Sequence, residues 1–320
     1  MVGISGTLSD EKDFSRGEIW TLNRYAVADS LAIQFQNWML YTDRALHWLV
    51  FLSFSSFVLY AHLERHPFSA LVSAVTLLII GFVVHKIAEH NALDEKRLDY
   101  RALAEGCRVR FFWLLAGVRD SVPDNYLGKQ RTELDWIRYG LRGWEIGLDH
   151  HPPAAWSNPQ NRQQFVLEHW VEDQRTYFGD KVDDSEEKSG RMERFVTACL
   201  YIAVTIGFLL LVATKTIHKG DEPGEPIWMV TSIIAIDLLL AGAALVHHAN
   251  ERMAHSEHLK QYRRMLNIFD NAAKSIKLLS HPDTASAEKA CVQALGREAL
   301  IENGDWVLLH RERPLEIPHP

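Results

Sequence analysis

Cysteine is scarce in this 320-residue chain. The three present, Cys107, Cys199 and Cys291, stand far apart and form no CxxC. That pattern offers no disulfide framework and fits a reducing, cytosolic face. An excess of basic residues is also lacking. The formal net charge is -7, and no Lys/Arg stripe with interleaved aromatics runs along the chain. Both facts argue against nucleic acid as a partner. Catalytic signatures are missing too: there is no Walker loop, no GxSxG, no GxGxxG and no paired catalytic carboxylate site. The sequence therefore gives no support to an enzyme and calls for no cofactor. The first thirteen residues are polar and Gly/Ser-rich, without the apolar stretch of a cleavable signal peptide. Any membrane insertion has to use internal segments.

The most telling absence is local. Charged residues make up 23% of the chain but nearly vanish from four windows: 45–63, 68–84, 195–214 and 227–246. About 20 mostly apolar residues suffice to carry a helix across a hydrocarbon core of roughly 30 Å. Buried core hairpins of a large soluble protein are the competing explanation, but length and charge exclusion agree in all four windows. Pro67 and its neighbours separate the first two windows, which makes a tight hairpin. KTIHKGDEPGEP, a Gly/Pro turn, joins the last two. Trp48, Tyr60 and Trp228 lie where an interfacial aromatic belt would be. Residues 111–118 are also apolar, but too few to span, and read as a packing face of a cytosolic helix.

Lys and Arg set the orientation. Arg24 and Arg44 precede the first window, and Lys86, Lys96, Arg97 and Arg101 follow the second. Lys188, Arg191 and Arg194 precede the third, and Arg252, Lys260, Arg263 and Arg264 follow the fourth. The connecting loops hold only Arg65 in one, and Lys215 and Lys219 beside Asp221, Glu222 and Glu225 in the other. Both termini and the central segment are expected in the cytoplasm. The fold class expected is an all-α membrane protein, with four transmembrane helices in two hairpins and long cytosolic helical extensions. Its expected divisions are a flexible 1–19, a first helix, hairpin and exit helix over 20–117, a cytosolic helical linker over 118–193, a second hairpin and exit helix over 194–280, and a cytosolic tail over 281–320.

An internal repeat supports that division. VHKIAEHNALDEKRLDYR after the second window aligns without a gap on VHHANERMAHSEHLKQYR after the fourth. His85, Glu89, Tyr100 and Arg101 fall on His247, Glu251, Tyr262 and Arg263. A duplicated unit of hairpin plus exit helix accounts for this. No proline or glycine interrupts 85–105 or 243–280, so each exit helix is expected to continue its span without a break. A continuous helix over 68–117 would be on the order of 75 Å long. Glu89 and Arg101, like Glu251 and Arg263, stand too far apart on one helix to pair, and would pair between repeats. Between the hairpins, Gly140, Gly143 and Gly147 followed by HHPPAAWSNP read as a loop. A helix is expected from about 162 to 178, ended by the acidic 180–188. A short helix over 285–303 leads into an extended GDWVLLHRERPLEIP.

Asp237, in the middle of the fourth window, is the main candidate for chemistry. A carboxylate there is costly and tends to face a bundle interior or a water-filled path. It is either a pore-lining or gating group, or a protonated acid bonded to Thr231, Ser232 or a neighbouring helix. Ser53 and Ser56, with Ser55, Ser73 and Thr76, are candidates for polar lining, although such hydroxyls also bond their own backbone or join helices. His247, His255 and His258, with Glu251, approach one helical face, the weak candidate for a metal site. They lack the HExxH core, and only His150-His151, His85 and His90 could complete a histidine-box centre. Trp170, Gln174 and Tyr177 share a face suited to docking on the exit helices, and Trp306 to anchoring the tail.

Three phrases carry a resemblance: FVLEHWVEDQRTYFGDK before the third window, the exit ending QYRRM, and ALGREALIENGDWVLLHRERPLE in the tail. With YAVADSLAIQFQNWMLYTDR ahead of the first hairpin, they resemble the SLATT-type family, the SMODS- and SLOG-associating two-transmembrane effector domains of bacterial conflict systems. The resemblance spans roughly 25–314. It implies a homo-oligomeric effector of the bacterial inner membrane, an ion channel or pore of antiviral defense, triggered by a nucleotide second messenger or a sensor protein. Longer relatives often carry a nucleotide-binding SLOG domain, and the opening MVGISGTLSDEKDF leaves no room for its sheet. The rival expectations are a membrane scaffold that anchors a cytosolic partner and a histidine-box metalloenzyme.

Overall fold

The computed structural model describes residues 14–63, 67–126, 134–148, 159–216, 226–252, 255–279 and 284–311. Among the described residues the chain is all-α, without a strand. It forms α1 (Arg16–His62), α2 (Phe68–His90), α3 (Leu93–Leu115), α4 (Val122–Asn125), α5 (Asp135–Leu148), α6 (Pro159–Val166), a π-helical turn (Leu167–Glu172), α7 (Asp173–Thr216), α8 (Ile227–Arg252), α9 (His255–Leu278) and α10 (Ala285–Arg311). Four helices are long and apolar enough to cross a membrane, and each contains one of the charge-poor windows. A water-soluble core would hide these windows. Instead, only 11% of the second and third is buried within the chain.

The described residues divide into two compact units. One draws on Trp38–Ala92 and Ser185–His255 and holds the apolar windows; we call it the span unit. The other draws on Met1–Asn37, Leu93–Asp184 and Ser256–Pro314; we call it the core unit. Each is assembled from separated stretches, whereas the sequence suggested consecutive blocks. The reason is that α1 and α7 run without interruption from one set of residues into the other.

In the span unit, α1 is flanked by partners on two sides. The Ser53 hydroxyl donates to the Ala74 carbonyl at 2.8 Å, and Gly81 lies opposite Leu49. These contacts make α1 and α2 an antiparallel hairpin. Phe51 meets Gly242, and Gly207 faces Ile236. Thus α1 also packs on α8, and α8 on α7. Small residues occupy these seams: Ala74, Gly81, Ala203, Ala241 and Ala243. Small side chains let helix backbones approach closely, which is how helices associate where lipid removes the hydrophobic incentive to do so.

The core unit centres on α3. Phe111, Phe112 and Trp113 are buried, together with Trp170, Phe269 and Leu300. The apolar 111–118 is thus the packing face the sequence suggested. Trp170 stacks on Phe112 at 5.0 Å and meets Phe269 edge-on, so it docks on the exit helices as expected. Trp113 Nε1 donates to the Val292 carbonyl of α10 at 3.3 Å, above Gly296. Gly117, at φ 68°, closes α3: the amides of Val118 and Gly117 return to the carbonyls of Trp113 and Leu114. This is the left-handed stop that glycine adopts at no steric cost.

Several local expectations change. α1 starts at Arg16, inside the segment expected to be flexible. Ser15 and Glu18 cap each other's backbone amides at 2.7 and 3.2 Å, the reciprocal box that satisfies two otherwise orphaned donors. The helix over 68–117 is interrupted, because α2 closes at Asn91 and Ala92 adopts φ 49°. The Asn91 side chain donates to the Ile87 carbonyl at 2.7 Å and supports that stop. The second exit carries matching bounds: α8 ends at Arg252 and α9 starts at His255, each 162 residues after His90 and Leu93. The glycines 140, 143 and 147 lie within helix α5, whose Ile137 and Leu141 are buried; packing overrides the weak helical preference of glycine. The acidic 180–188 does not end a helix but continues α7. The tail is helical through Arg311. The loops KTIHKGDEPGEP and HHPPAAWSNP, with His150-His151, fall largely or wholly outside the described residues.

Candidate functional site

Polar chemistry gathers in each unit. In the span unit, Asp237 does not meet Thr231 or Ser232. Both of those hydroxyls turn back on their own helix, Thr231 to the Ile227 carbonyl at 2.9 Å and Ser232 to the Trp228 carbonyl at 2.7 Å. Asp237 Oδ2 instead lies 3.0 Å from His62 Nε2, in the last turn of α1. This is the neighbouring-helix partner allowed by the sequence reading, and it joins the two hairpins. About a third of each side chain stays uncovered, 33% for His62 and 35% for Asp237. In hydrocarbon an exposed polar pair has no partner among lipid tails. Water or another protein surface has to cover it.

The serine candidates take helix-joining or local roles. Ser53 is buried and ties α1 to α2, as described above. Ser56 is half-buried; its hydroxyl, on the exposed side, donates to the Leu52 carbonyl at 2.9 Å and lies 3.5 Å from Ser73 Oγ. Four of the repeat positions, His85, Glu89, His247 and Glu251, belong to the span unit. Their carboxylates pair locally, Glu89 with Lys86 at 2.6 Å and Glu251 with His247 at 3.4 Å. The expected cross-repeat pairing is therefore replaced by pairing along each helix. Of the metal candidates, His247 is engaged with Glu251, while His258 stacks between Tyr262 and His310 in the core unit. The His255 side chain lies outside the described residues. Among the described residues no three His, Cys, Asp or Glu side chains converge as metal ligands would.

The second place is a cavity of about 250 Å³ within the core unit, framed by α1, α3, α7, α9 and α10. Arg97, Arg101, Arg108 and Lys181 line it, facing Asp29, Glu105 and Glu302. Arg97 is held by Asp94 at 2.7 Å and lies over the Trp306 ring at 5.5 Å. Arg108 pairs with Glu105 at 2.5 Å, both almost fully buried. Arg101 approaches Asp29 at 3.7 Å. Lys181 lies over the ring of Tyr177 at 5.6 Å, and no carboxylate among the described residues reaches it. Burial, reinforced by nearby Glu105, pushes the Glu302 carboxyl up to about 7. Burial also raises the Tyr262 hydroxyl above its ordinary range, as a low-polarity setting does to any group that ionises to an anion. Burial pushes the Cys107 thiol up to about 12, too high to be nucleophilic near neutral pH.

The repeat thus leads to this cavity in part. Arg101 and Tyr262 line it, whereas Tyr100 stacks on Phe35 at 5.6 Å; Arg263 is not among the lining residues. The sequence reading missed His62, although it is the one histidine inside the first apolar window besides His47, and that was the available signal. It also missed Asp29, Glu105, Arg108, Lys181 and Glu302. They come from α1, α3, α7 and α10, and no spacing along the chain links them. No protein-family model, curated protein or solved structure matches this chain.

Proposed function

We propose that the chain is a membrane effector: copies assemble in the bilayer into a pore or ion channel, and the core unit receives the activating signal. The observation that carries this reading is the His62–Asp237 pair. It stands in the span unit with a third of its surface uncovered, and ionisable groups at such places mark water-filled paths or subunit contacts. The outward-facing apolar side chains, among them Phe57, Ile79 and Leu209, suit lipid or a neighbouring copy. The resemblance to SLATT-type effectors adds the setting: a bacterial inner membrane, both termini cytoplasmic, and antiviral defense with a nucleotide signal or a sensor protein as trigger. The Lys/Arg distribution supports that orientation.

Ion flux through liposomes tests the reading. Purified protein should form oligomers that conduct when triggered, and Asp237→Leu and His62→Leu should each cut or alter conductance at least tenfold. Wild-type conductance carried unchanged by both variants would end the pore assignment. A membrane scaffold is the second reading. It is favoured by Trp136, Tyr139 and Ile146, an exposed stripe on α5. A scaffold keeps its function in both variants.

A further inference from the structure

We propose that the core-unit cavity is a binding site for a small phosphorylated molecule with one flat ring, of mononucleotide size. The inference deepens the effector reading, since such a ligand would be the signal, but binding itself does not depend on the span unit conducting.

The space comes first. At about 250 Å³ the cavity far exceeds one water's share of roughly 30 Å³ and approaches the size of small-ligand pockets. Charge comes next. Four cations face three carboxyl groups, and one of these, Glu302, keeps its proton to near neutral pH. Asp94 holds Arg97, Asp29 approaches Arg101 and Glu105 pairs with Arg108, so the cationic surplus of the lining is the single charge of Lys181. Lys181 contributes a cation with no carboxylate partner among the described residues, and guanidinium groups hold phosphate through directed, charge-assisted hydrogen bonds.

The third observation is chemical. Arg108 Nε and Glu105 Oε1 are buried yet make no hydrogen bond, and the two residues are only 5% and 4% exposed. A buried donor or acceptor left unmade costs free energy. Asp29 Oδ1 in the same lining is orphaned too, so the orphans are one donor and two acceptors. A bare anion could satisfy the donor but neither acceptor, whereas a phosphate attached to a ring bearing N–H groups offers partners to both kinds. Tyr177, Tyr262 and Trp306 provide aromatic surface against which such a ring can lie.

The full chain, purified in detergent, would be titrated calorimetrically with AMP, GMP and inorganic phosphate. One nucleotide should saturate at one per chain and bind at least tenfold more tightly than phosphate, a gap of about 1.4 kcal/mol. Arg108→Lys should weaken binding at least tenfold. Lys181→Ala should do the same, and because Lys181 is only half-buried this variant should melt like the wild type. Absence of saturable nucleotide binding at millimolar concentration overturns the proposal, as does undiminished binding in the Lys181 variant. Phosphate binding as tightly as either nucleotide removes the ring from the site and overturns it as well. Nucleotide binding without ion flux supports this site while removing the pore; flux from a chain that binds no nucleotide does the reverse.

Discussion

The two units are built from the same element, the α-helix, but are turned inside out relative to each other. In the span unit small residues sit in the seams and large apolar side chains face outward, with Val204 69% and Leu209 60% exposed. In the core unit the large aromatics Phe111, Phe112, Trp113, Trp170 and Phe269 sit inside. The difference is one of solvent. Water drives apolar area inward, so Trp113, Trp170 and Phe269 form a centre. Lipid gives no such drive, and helices then associate through close approach and a few polar contacts. Backbone accounting is the same in both, because a helix satisfies its own amides and carbonyls in either medium. The comparison also explains where polar chemistry survives. The core unit buries Arg108 and Glu105 because each neutralises the other. The span unit carries the His62–Asp237 pair between its two hairpins, with about a third of each side chain uncovered.

The sharpest way to break the contrast is to damage one unit and watch the other. A Cβ at Gly296 would lie 2.2 Å from Trp113 Nε1 and 2.6 Å from its ring. Gly296→Ala therefore forces apart α10 and α3, where the indole is fully buried. Overpacking typically costs about 1–3 kcal/mol, and so close an approach to a fully buried indole belongs at the upper end. Thermal denaturation in detergent should show the core unit melting well below its wild-type temperature, while helicity from the spans persists. One cooperative transition with an unshifted midpoint would show that this close approach is not what holds α10 in place.

Glu302 offers a smaller and more selective test. Its folded-state carboxyl lies near 7, above the unfolded value of about 4.3. The folded chain thus binds the proton more tightly, and the associated stability is complete below about pH 4, declines as pH rises toward 7, and is absent above. Glu302→Gln stays neutral throughout. The variant should match the wild type near pH 4 and melt a few degrees higher at pH 8, a gain of about 1–2 kcal/mol once solvent at its partly covered side chain is allowed for. Parallel melting curves across that range would remove Glu302 from the buried charge network.

The sequence made the span unit far more legible than the core unit, for a physical reason. Lipid imposes a composition rule on every residue of a span, so 45–63, 68–84, 195–214 and 227–246 announce themselves one by one. The core unit obeys only tertiary rules. Gly140 and Gly143 look like a loop until Ile137 and Leu141 are seen buried on the same helix. The acidic 180–188 looks like a helix end, but local pairs such as Glu187 with Arg191 help a charged helix persist. The break at Ala92 has no glycine or proline to mark it, and a residue of ordinary shape held at φ 49° is a strained position that pattern reading does not anticipate. Asp237 was legible as costly; its partner was not, because register between helices fixes which side chain arrives opposite. The cavity was least legible of all, since five helices contribute to it.

The mildest test addresses the seam between α1 and α2. Ser53 is 3% exposed and donates across to Ala74 rather than to its own helix. In water, removing a buried hydroxyl from its acceptor costs on the order of 1 kcal/mol. Between lipid-embedded helices the measured average is nearer ~0.6 kcal/mol, because the separated helices find other partners. The carbonyl of Ala74 is also a helical carbonyl and keeps its own backbone donor when the serine is gone. Ser53→Ala should therefore lower stability in detergent unfolding by about 0.6 kcal/mol, less than any change above. Ser56→Ala, whose hydroxyl bonds its own helix on an exposed face, should be indistinguishable from wild type. If the two alanine variants behave alike, the α1–α2 seam is held by the fit of Ala74 and Gly81 alone, and the polar bridge is incidental to it.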